Sequence, residues 1–331
     1  MQEICEKQQA EVIEGQLQED EGEDALLTPA PLASSMADLN AQLGDPLTSW
    51  EVRAMTQRSL SSLVDECTSS QLLDSALDPR DSGRLRCVAR EGAGYWLAAF
   101  PSKALGPHLR KSEFVTAVKY RLGVPVYRLE APCPMPRCGQ VSDVLGDHAI
   151  SCGIGGERIA RHNHVRDALF QTAVQAGLGP VKEPDGLLPG SDDRPADILL
   201  PFWTNGRDTA LDFTVVNPLQ DALVRRSAEE GSSAVNHAHN IKLRKYAERC
   251  AEQGLVFSPV AVDTLGGWHP DALEVITKLG RQLARNVGRD DQEAVRHLKQ
   301  RLAILLVRDN VALLCARTPT FPPSNIDGDE D

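Results

Sequence analysis

No run of apolar residues in this chain approaches the roughly 20 needed for a helix to cross a bilayer, so no membrane span is expected. The N-terminus also lacks the basic stretch and apolar core of a secretory signal. A disulfide framework is missing too. Several of the eight cysteines stand apart and one group has metal-ligand spacing, which suits a reducing, intracellular compartment. No internal repeat is evident. What is present is ordinary for a globular chain: 331 residues, 41% of them hydrophobic, enough for two or three modest domains and too apolar for wholesale disorder.

An excess of positive charge is absent as well, and the net charge of −12 argues at first against nucleic acid as a partner. Its distribution changes that. Residues 1–46 hold 11 acids and one base, and the tail after Thr320 adds four acids, which leaves residues 47–320 at +2. Within that stretch nine bases between Arg84 and Arg128 oppose only Glu91 and Glu113. Arg110, Lys111, Lys119 and Arg121 are among them, and clustered charge of this kind neutralises phosphates. Tyr95, Trp96, Phe100, Phe114, Tyr120 and Tyr127 are interleaved, a pattern suited to stacking on single-stranded bases. The plainer alternative is that these rings form the core of a small helical domain with the bases on its wet face. The acidic ends are expected to be disordered.

Helical spacing of Leu60, Leu63, Val64, Leu72, Leu73 and Leu77 predicts a helix near 49–76. A helix over 157–176 is expected to end at Gly177 and to bury Ile159, Val165, Leu169 and Val174. Strands follow at 181–184, 196–200 and 209–216, with Asn205-Gly206 as the turn between the last two. Then come a helix over 236–253, a buried strand over 255–262, and helices at about 270–287 and 290–316. Helix, three strands, helix, strand is a mixed α/β order, one sheet against flanking helices.

Two constellations carry chemistry. Cys133, Cys138, His148 and Cys152 read C-x4-C-x9-H-x3-C, which fits one structural zinc site, with His148 and Cys152 on one side of a helical turn. Further on, Asp197 opens one strand and Asp212 lies in its hairpin partner, spaced D-x14-D. Alternation puts Ala210, Asp212, Thr214 and Val216 on one face and Leu211, Phe213 and Val215 on the other. An acid between Leu211 and Phe213 is costly to bury unless it is paired or binds a cation. Two such acids at adjacent strand ends make a hard-oxygen site for Mg²⁺. The plainer alternative is one solvated strand-end Asp and one turn Asp.

The order of these pieces resembles the C-terminal region of LINE-type (non-LTR) retrotransposon proteins, where a zinc knuckle precedes a restriction-enzyme-like endonuclease of the PD-(D/E)XK class. The resemblance covers about 85–268. It rests on the knuckle, Arg161-His162-Asn163, Arg194-Pro195-Ala196-Asp197, Leu211-Asp212-Phe213-Thr214 and the run from Ile241 to Tyr246. It implies a small helical N-terminal region and knuckle, then an αβββαβ nuclease core with C-terminal helices. The expected domains are an acidic disordered lead (1–46), a helical basic linker (47–130), the knuckle (131–155), the nuclease (156–290), a C-terminal helix (291–318) and an acidic tail (319–331).

The resemblance also implies a Mg²⁺- or Mn²⁺-dependent endonuclease, nuclear or otherwise intracellular, acting on DNA, with RNA as an alternative partner and zinc as a structural ion. Asp197 and Asp212 would be the metal ligands, with Glu183 as a third carboxylate. Thr214 stands where an E-x-K lysine is expected, so the lysine would come from the following helix as Lys242 or Lys245. Arg161 and His162 would touch phosphate. No Tyr-x-Asp-Asp polymerase motif occurs, so copying of RNA is not expected. Two rivals stand beside this. His162-Asn163-His164 spells an HNH nuclease, though within a continuous helical pattern. A non-catalytic remnant that binds nucleic acid or a partner is the other.

Overall fold

The computed structural model describes residues 37–43, 46–48, 51–52, 55–101 and 108–319. The acidic lead and tail expected over 1–46 and 319–331 lie largely outside the described residues. Residues 37–42 of that lead are helical rather than disordered, and Asn40 clamps the following chain by exchanging hydrogen bonds with the backbone of Leu47, at 2.9 and 3.0 Å. The chain divides into two units, 1–74 and 75–331. In the first, helix α1 (Gln57–Asp74) starts where the hydroxyl of Thr56 accepts the N–H of Ser59. It has no fully buried residue, and its half-buried positions include Leu60, Leu63 and Val64.

The second unit is mixed α/β. It opens with helices α2 (Pro79–Val88) and α3 (Lys111–Leu122), followed by a two-stranded hairpin of β1 (Ala131–Pro132) and β2 (Val141–Ser142) and a short helix α4 (Asp147–Ser151). Helix α5 (Glu157–Gln175) leads into a four-stranded sheet of β3 (Val181–Lys182), β4 (Ile198–Thr204), β5 (Arg207–Val216) and β6 (Val256–Asp263). Helices α6 (Val224–Glu229) and α7 (Ser233–Glu252) cross from β5 to β6, and α8 (Pro270–Val287) and α9 (Asp291–Ala316) close the chain.

The strands lie in the order β3-β4-β5-β6, antiparallel except for the parallel pair β5–β6. A parallel pair needs a crossover, which the α6–α7 segment supplies. The β4–β5 hairpin turns at Asn205 and Gly206, whose φ angles of 51° and 73° are the two positive values that a type I′ turn requires. Ile198 pairs with Leu211, so Asp197 enters β4 directly beside Asp212.

Alternation divides the sheet as expected. Ile198, Leu200, Leu211, Phe213, Val260 and Val262 pack with Val165 and Leu169 of α5, Ile276 and Leu279 of α8, and Leu302 and Leu306 of α9. On the other face Ala210 and Phe257 meet Tyr246 and Cys250 of α7. Burial of each large apolar side chain stabilises the fold by about 1.5–3 kcal/mol.

Two expectations need correction. The buried face of α5 contains Val165 and Leu169 but also Arg161 and Arg166, while Ile159 and Val174 are exposed. The two arginines are tolerated there because each has a partner, Asn310 for Arg161 and Asp167 with Glu183 for Arg166. Nor is the C-terminal helix an appendage to separate knuckle and nuclease domains. Along α9, Leu302 and Leu306 complete the sheet core, Ile304 and Val311 pack with Trp96 and Ala117, and Leu313 and Leu314 join Tyr120, Tyr127 and Ile150. From Leu302 to Leu314 the helix is buried on several sides, as a core element is. It packs so closely on α8 that a Cβ at Gly280 would lie 2.9 Å from the Cα of Val295.

Candidate functional site

The hairpin β1–β2 and helix α4 bring four metal-ligand side chains together. The N–H of Cys133 donates to the carbonyl of Gln140 (2.8 Å), and that of Cys138 to Met135 (3.1 Å), which curls the intervening loop back on itself. Asp143 accepts the N–H groups of Asp147 (3.1 Å) and His148 (2.8 Å), so it fixes the first turn of α4 and hence the His148 ring. Cys152 follows the last residue of that helix. The donor atoms of Cys133, Cys138, His148 and Cys152 all lie within 4.8 Å of one another. Cys138 Sγ is 3.4 Å from His148 Nε2 and 3.7 Å from Cys152 Sγ. Tetrahedral zinc, with bonds near 2.0–2.3 Å, sets its ligand atoms roughly 3.3–3.8 Å apart.

The cluster therefore has the donor set and spacing to hold a metal ion such as zinc. Four protein ligands leave no open position, so an ion there would be structural. Beside the cluster, the fully buried Arg317 donates to the Ile154 carbonyl and to Glu157 Oε2 at 2.9 Å. Its guanidinium ties the end of α9 to the start of α5. Cys133→Ser is expected to leave the chain with one metal ion fewer than wild type and a lower melting temperature, checked by elemental analysis and thermal unfolding.

The carboxylates meet at the fork where β4 leaves β5. The Asp197 N–H donates to the Leu211 carbonyl at 2.8 Å, and its own Oδ2 accepts the Phe213 N–H at 2.6 Å, so the side chain completes the ladder beyond the strand end. Its other oxygen is 3.0 Å from His162 Nε2 on α5. Asp212, next to it on β5, faces α7. There Lys242 Nζ lies 3.1 Å from Oδ1 and 2.9 Å from Oδ2. Burial pushes the Asp212 carboxyl up to about 6; Lys242 and, more weakly, His162 oppose this, while the neighbouring Asp197 charge adds to it. Asp212 thus feels the Asp197 charge from the adjacent strand, with the Lys242 ammonium on its own carboxylate.

The remaining expected residues fall elsewhere. Lys245 points to Asp193 (3.2 Å) and over the Tyr246 ring rather than to Asp212. Glu183 pairs with Arg166, and only its N–H reaches the site, donating to the Asp197 carbonyl at 2.8 Å. Thr214 is half-buried one pair along from Asp212 on the same face. His162, Asn163 and His164 all lie inside α5, and His164 binds Asp309 instead of sharing a site with His162.

Arg161, expected at phosphate, is buried. It donates to Asn310 Oδ1 at 2.7 Å, and burial lowers its proton affinity to about 10. Arg121 is likewise structural, donating to the carbonyls of Ala93 (2.7 Å) and Val88 (3.1 Å). Arg110, Lys111 and Lys119 are exposed. Of the aromatics, Trp96, Tyr120 and Tyr127 are core, and Phe100 and Phe114 are exposed.

Sequence reasoning missed Arg166 and Asp193. Asp193 collects Lys245 and Arg249, and hydrogen bonds from Arg249 and then Lys245 hold its carboxyl down at about 2. No local pattern signals such a partner, which lies 56 residues from Arg249. No protein-family model matches this chain, and no curated protein matches it at a significant level. Its reading rests on the geometry.

Proposed function

We propose that the chain is a metal-dependent DNA endonuclease of the kind found in non-LTR retroelements, with Asp197, Asp212 and Lys242 at its centre. The observation that carries this is the Lys242 ammonium within 2.9 and 3.1 Å of both oxygens of a buried strand carboxylate, adjacent to a second carboxylate. An ion pair held only for stability does not need the second acid, whose charge makes Asp212 harder to ionise.

The residues fit a hard divalent cation. Asp212 Oδ2 is buried and, although Lys242 is in contact with it, receives no directed hydrogen bond, so a lone pair remains for an ion. One or two carboxylates plus substrate phosphate is the usual protein contribution to a Mg²⁺ site. When bound, Mg²⁺ or Mn²⁺ would polarise the phosphoryl oxygen and acidify a bound water. Lys242 would stabilise the negative charge that develops on the phosphate. His162 would hold the Asp197 carboxylate in place through its 3.0 Å contact. Exposed Arg110, Lys111 and Lys119 would meet the nucleic-acid backbone, giving affinity more than sequence choice. A cavity of about 720 Å³, lined by Arg281, Arg285, Arg296 and Lys299 with Asp291, lies away from the acids and offers a second, mainly basic surface.

A nicking assay on supercoiled DNA with Mg²⁺ tests the proposal: wild type converts the substrate and Asp212→Ala does not. Equal conversion by both, or none by either, removes the enzymatic reading and leaves a binding protein. Acidity gives a further check. With its carboxyl raised to about 6, Asp212 is protonated below that pH and carries the charge a cation needs only above it. Nicking is therefore expected to fall as pH drops through 6, and a rate flat across that range contradicts the role given to Asp212.

A further inference from the structure

Helix α8 is apolar where it meets the sheet, through buried Val275, Ile276 and Leu279, and basic on its outer side. Lys278, Arg281 and Arg285, spaced by three and four residues, form one exposed stripe there. Gly288, at a φ of 68°, ends the helix, and Asp290 caps α9 two residues later. So short a connection folds α9 back along α8. The close approach at Gly280 then brings Arg296 and Lys299, one turn apart on α9, to the same groove as the α8 arginines.

Two depressions meet at Arg281 and Arg285. One, of about 720 Å³, continues to Arg296, Lys299 and Tyr95. The other, of about 300 Å³, continues to Lys278 and to Trp203 on the β4–β5 hairpin. Asp291 is the acid in their walls. Lys278 is paired with Glu274, and Lys299 lies 3.7 Å from Glu91. Arg281, Arg285 and Arg296 have no ion-pair or hydrogen-bond partner among the described residues. Like charges four apart on a helix, such as Arg281 and Arg285, repel and weaken it. Stability alone therefore does not account for unpartnered arginines gathered in one groove, whereas an anionic ligand does.

The rings narrow the class of that ligand. Trp203 is half-buried against the sheet core, which fixes its indole. The Tyr95 hydroxyl donates to Glu91 at 2.9 Å, and the Lys299 ammonium lies 5.4 Å from the ring centre. Aromatic side chains held beside arginines give unpaired bases a surface to stack on. In a duplex the base faces already cover one another, so only a single strand can use it. We propose that this groove binds a segment of single-stranded nucleic acid, its phosphates against Arg281, Arg285 and Arg296 and its bases against Tyr95 and Trp203. Along the helix Arg281 and Arg285 are about 6 Å apart, close to the step between phosphates of an extended strand. The groove lies away from Asp197 and Asp212, so it holds a strand whether or not the chain cleaves one.

Fluorescence anisotropy tests this in buffer without added Mg²⁺, which keeps the outcome separate from nicking. The full chain is titrated into labelled oligothymidylate or oligouridylate of about 12 nucleotides, within the usual site size for such binding. Arg281→Ala with Arg285→Ala, both at exposed helix positions, should weaken strand binding about tenfold. The slope of log affinity against log salt should become shallower by about 1.4, since each phosphate contact contributes about 0.7. The charge-matched control, Arg225→Ala with Arg226→Ala at exposed positions of α6, should stay within about twofold of wild type. Tyr95→Leu should lose about fivefold on the strand while Tyr95→Phe keeps the wild-type affinity. A loss on either strand supports the site, and the one that wild type binds more tightly identifies the sugar. Unchanged affinity in the Arg281 and Arg285 variant, or an equal loss in the control, overturns the proposal. So does a loss of duplex binding as large as the loss of strand binding, which would mark a general polyanion surface.

Discussion

Replacing Arg90 with alanine is expected to destabilise the second unit by about 3–5 kcal/mol, the penalty for stranding a buried charge. Arg90 donates to Asp263 Oδ2 at 2.7 Å and to the Trp268 carbonyl at 2.8 Å. Asp263 is fully buried, and its other oxygen accepts the N–H groups of Leu265 (2.8 Å) and Gly267 (3.0 Å). Burial raises its carboxyl to about 6 in spite of Arg90 and these amides. A carboxyl raised in the folded state opposes folding once the pH is high enough to ionise it. Loss of the guanidinium raises it further, so Arg90→Ala should be more damaging at about pH 8 than at about pH 5. Urea unfolding at the two pH values measures this. Adding Asp263→Asn should recover part of the loss, because the stranded charge is then gone.

The second large effect concerns the choice between two lysines. Lys242→Ala should lower the nicking rate by roughly 10²–10³-fold, the usual loss when a group that stabilises transition-state charge is removed. Lys245→Ala should stay within about tenfold of wild type, since Lys245 sits on half-buried Asp193 rather than on Asp212. A stability change alone would not alter the pH profile, and here it should move. Lys242 holds the Asp212 carboxyl down, so without it the acidic fall in residual activity shifts to higher pH. Single-turnover rates across pH for the three proteins separate these outcomes. Equal losses for both lysines would assign them the same indirect role.

Much of the fold was legible because it is local. The alternation of Ala210, Asp212 and Thr214 against Leu211 and Phe213 follows from strand geometry, and Asn205-Gly206 supplies the positive φ angles that close the hairpin. That hairpin is also why two acids spaced D-x14-D become neighbours. The lysine was not legible. Lys242 and Lys245 are three apart on one helix, and only the position of Asp193, far from both in sequence, draws Lys245 away.

Buried cations were the main failure. Arg84, Arg121 and Arg161 read as surface charge because arginine is mostly exposed. Their partners lie far along the chain or on the backbone: Asn310 is 149 residues from Arg161, and Arg84 reaches the Arg121 carbonyl at 2.9 Å. The positive excess between 84 and 128 is thus partly internal, and a phosphate-binding surface inferred from composition was too large.

Mn²⁺ uptake by the intact chain, followed through the electron paramagnetic resonance of the free ion at a pH above 6, is the most direct test of the paired aspartates. Wild type should take up one Mn²⁺ more than either Asp197→Asn or Asp212→Asn, while both variants keep the metal of the cysteine cluster. Identical Mn²⁺ uptake by all three proteins would contradict a shared cation between Asp197 and Asp212.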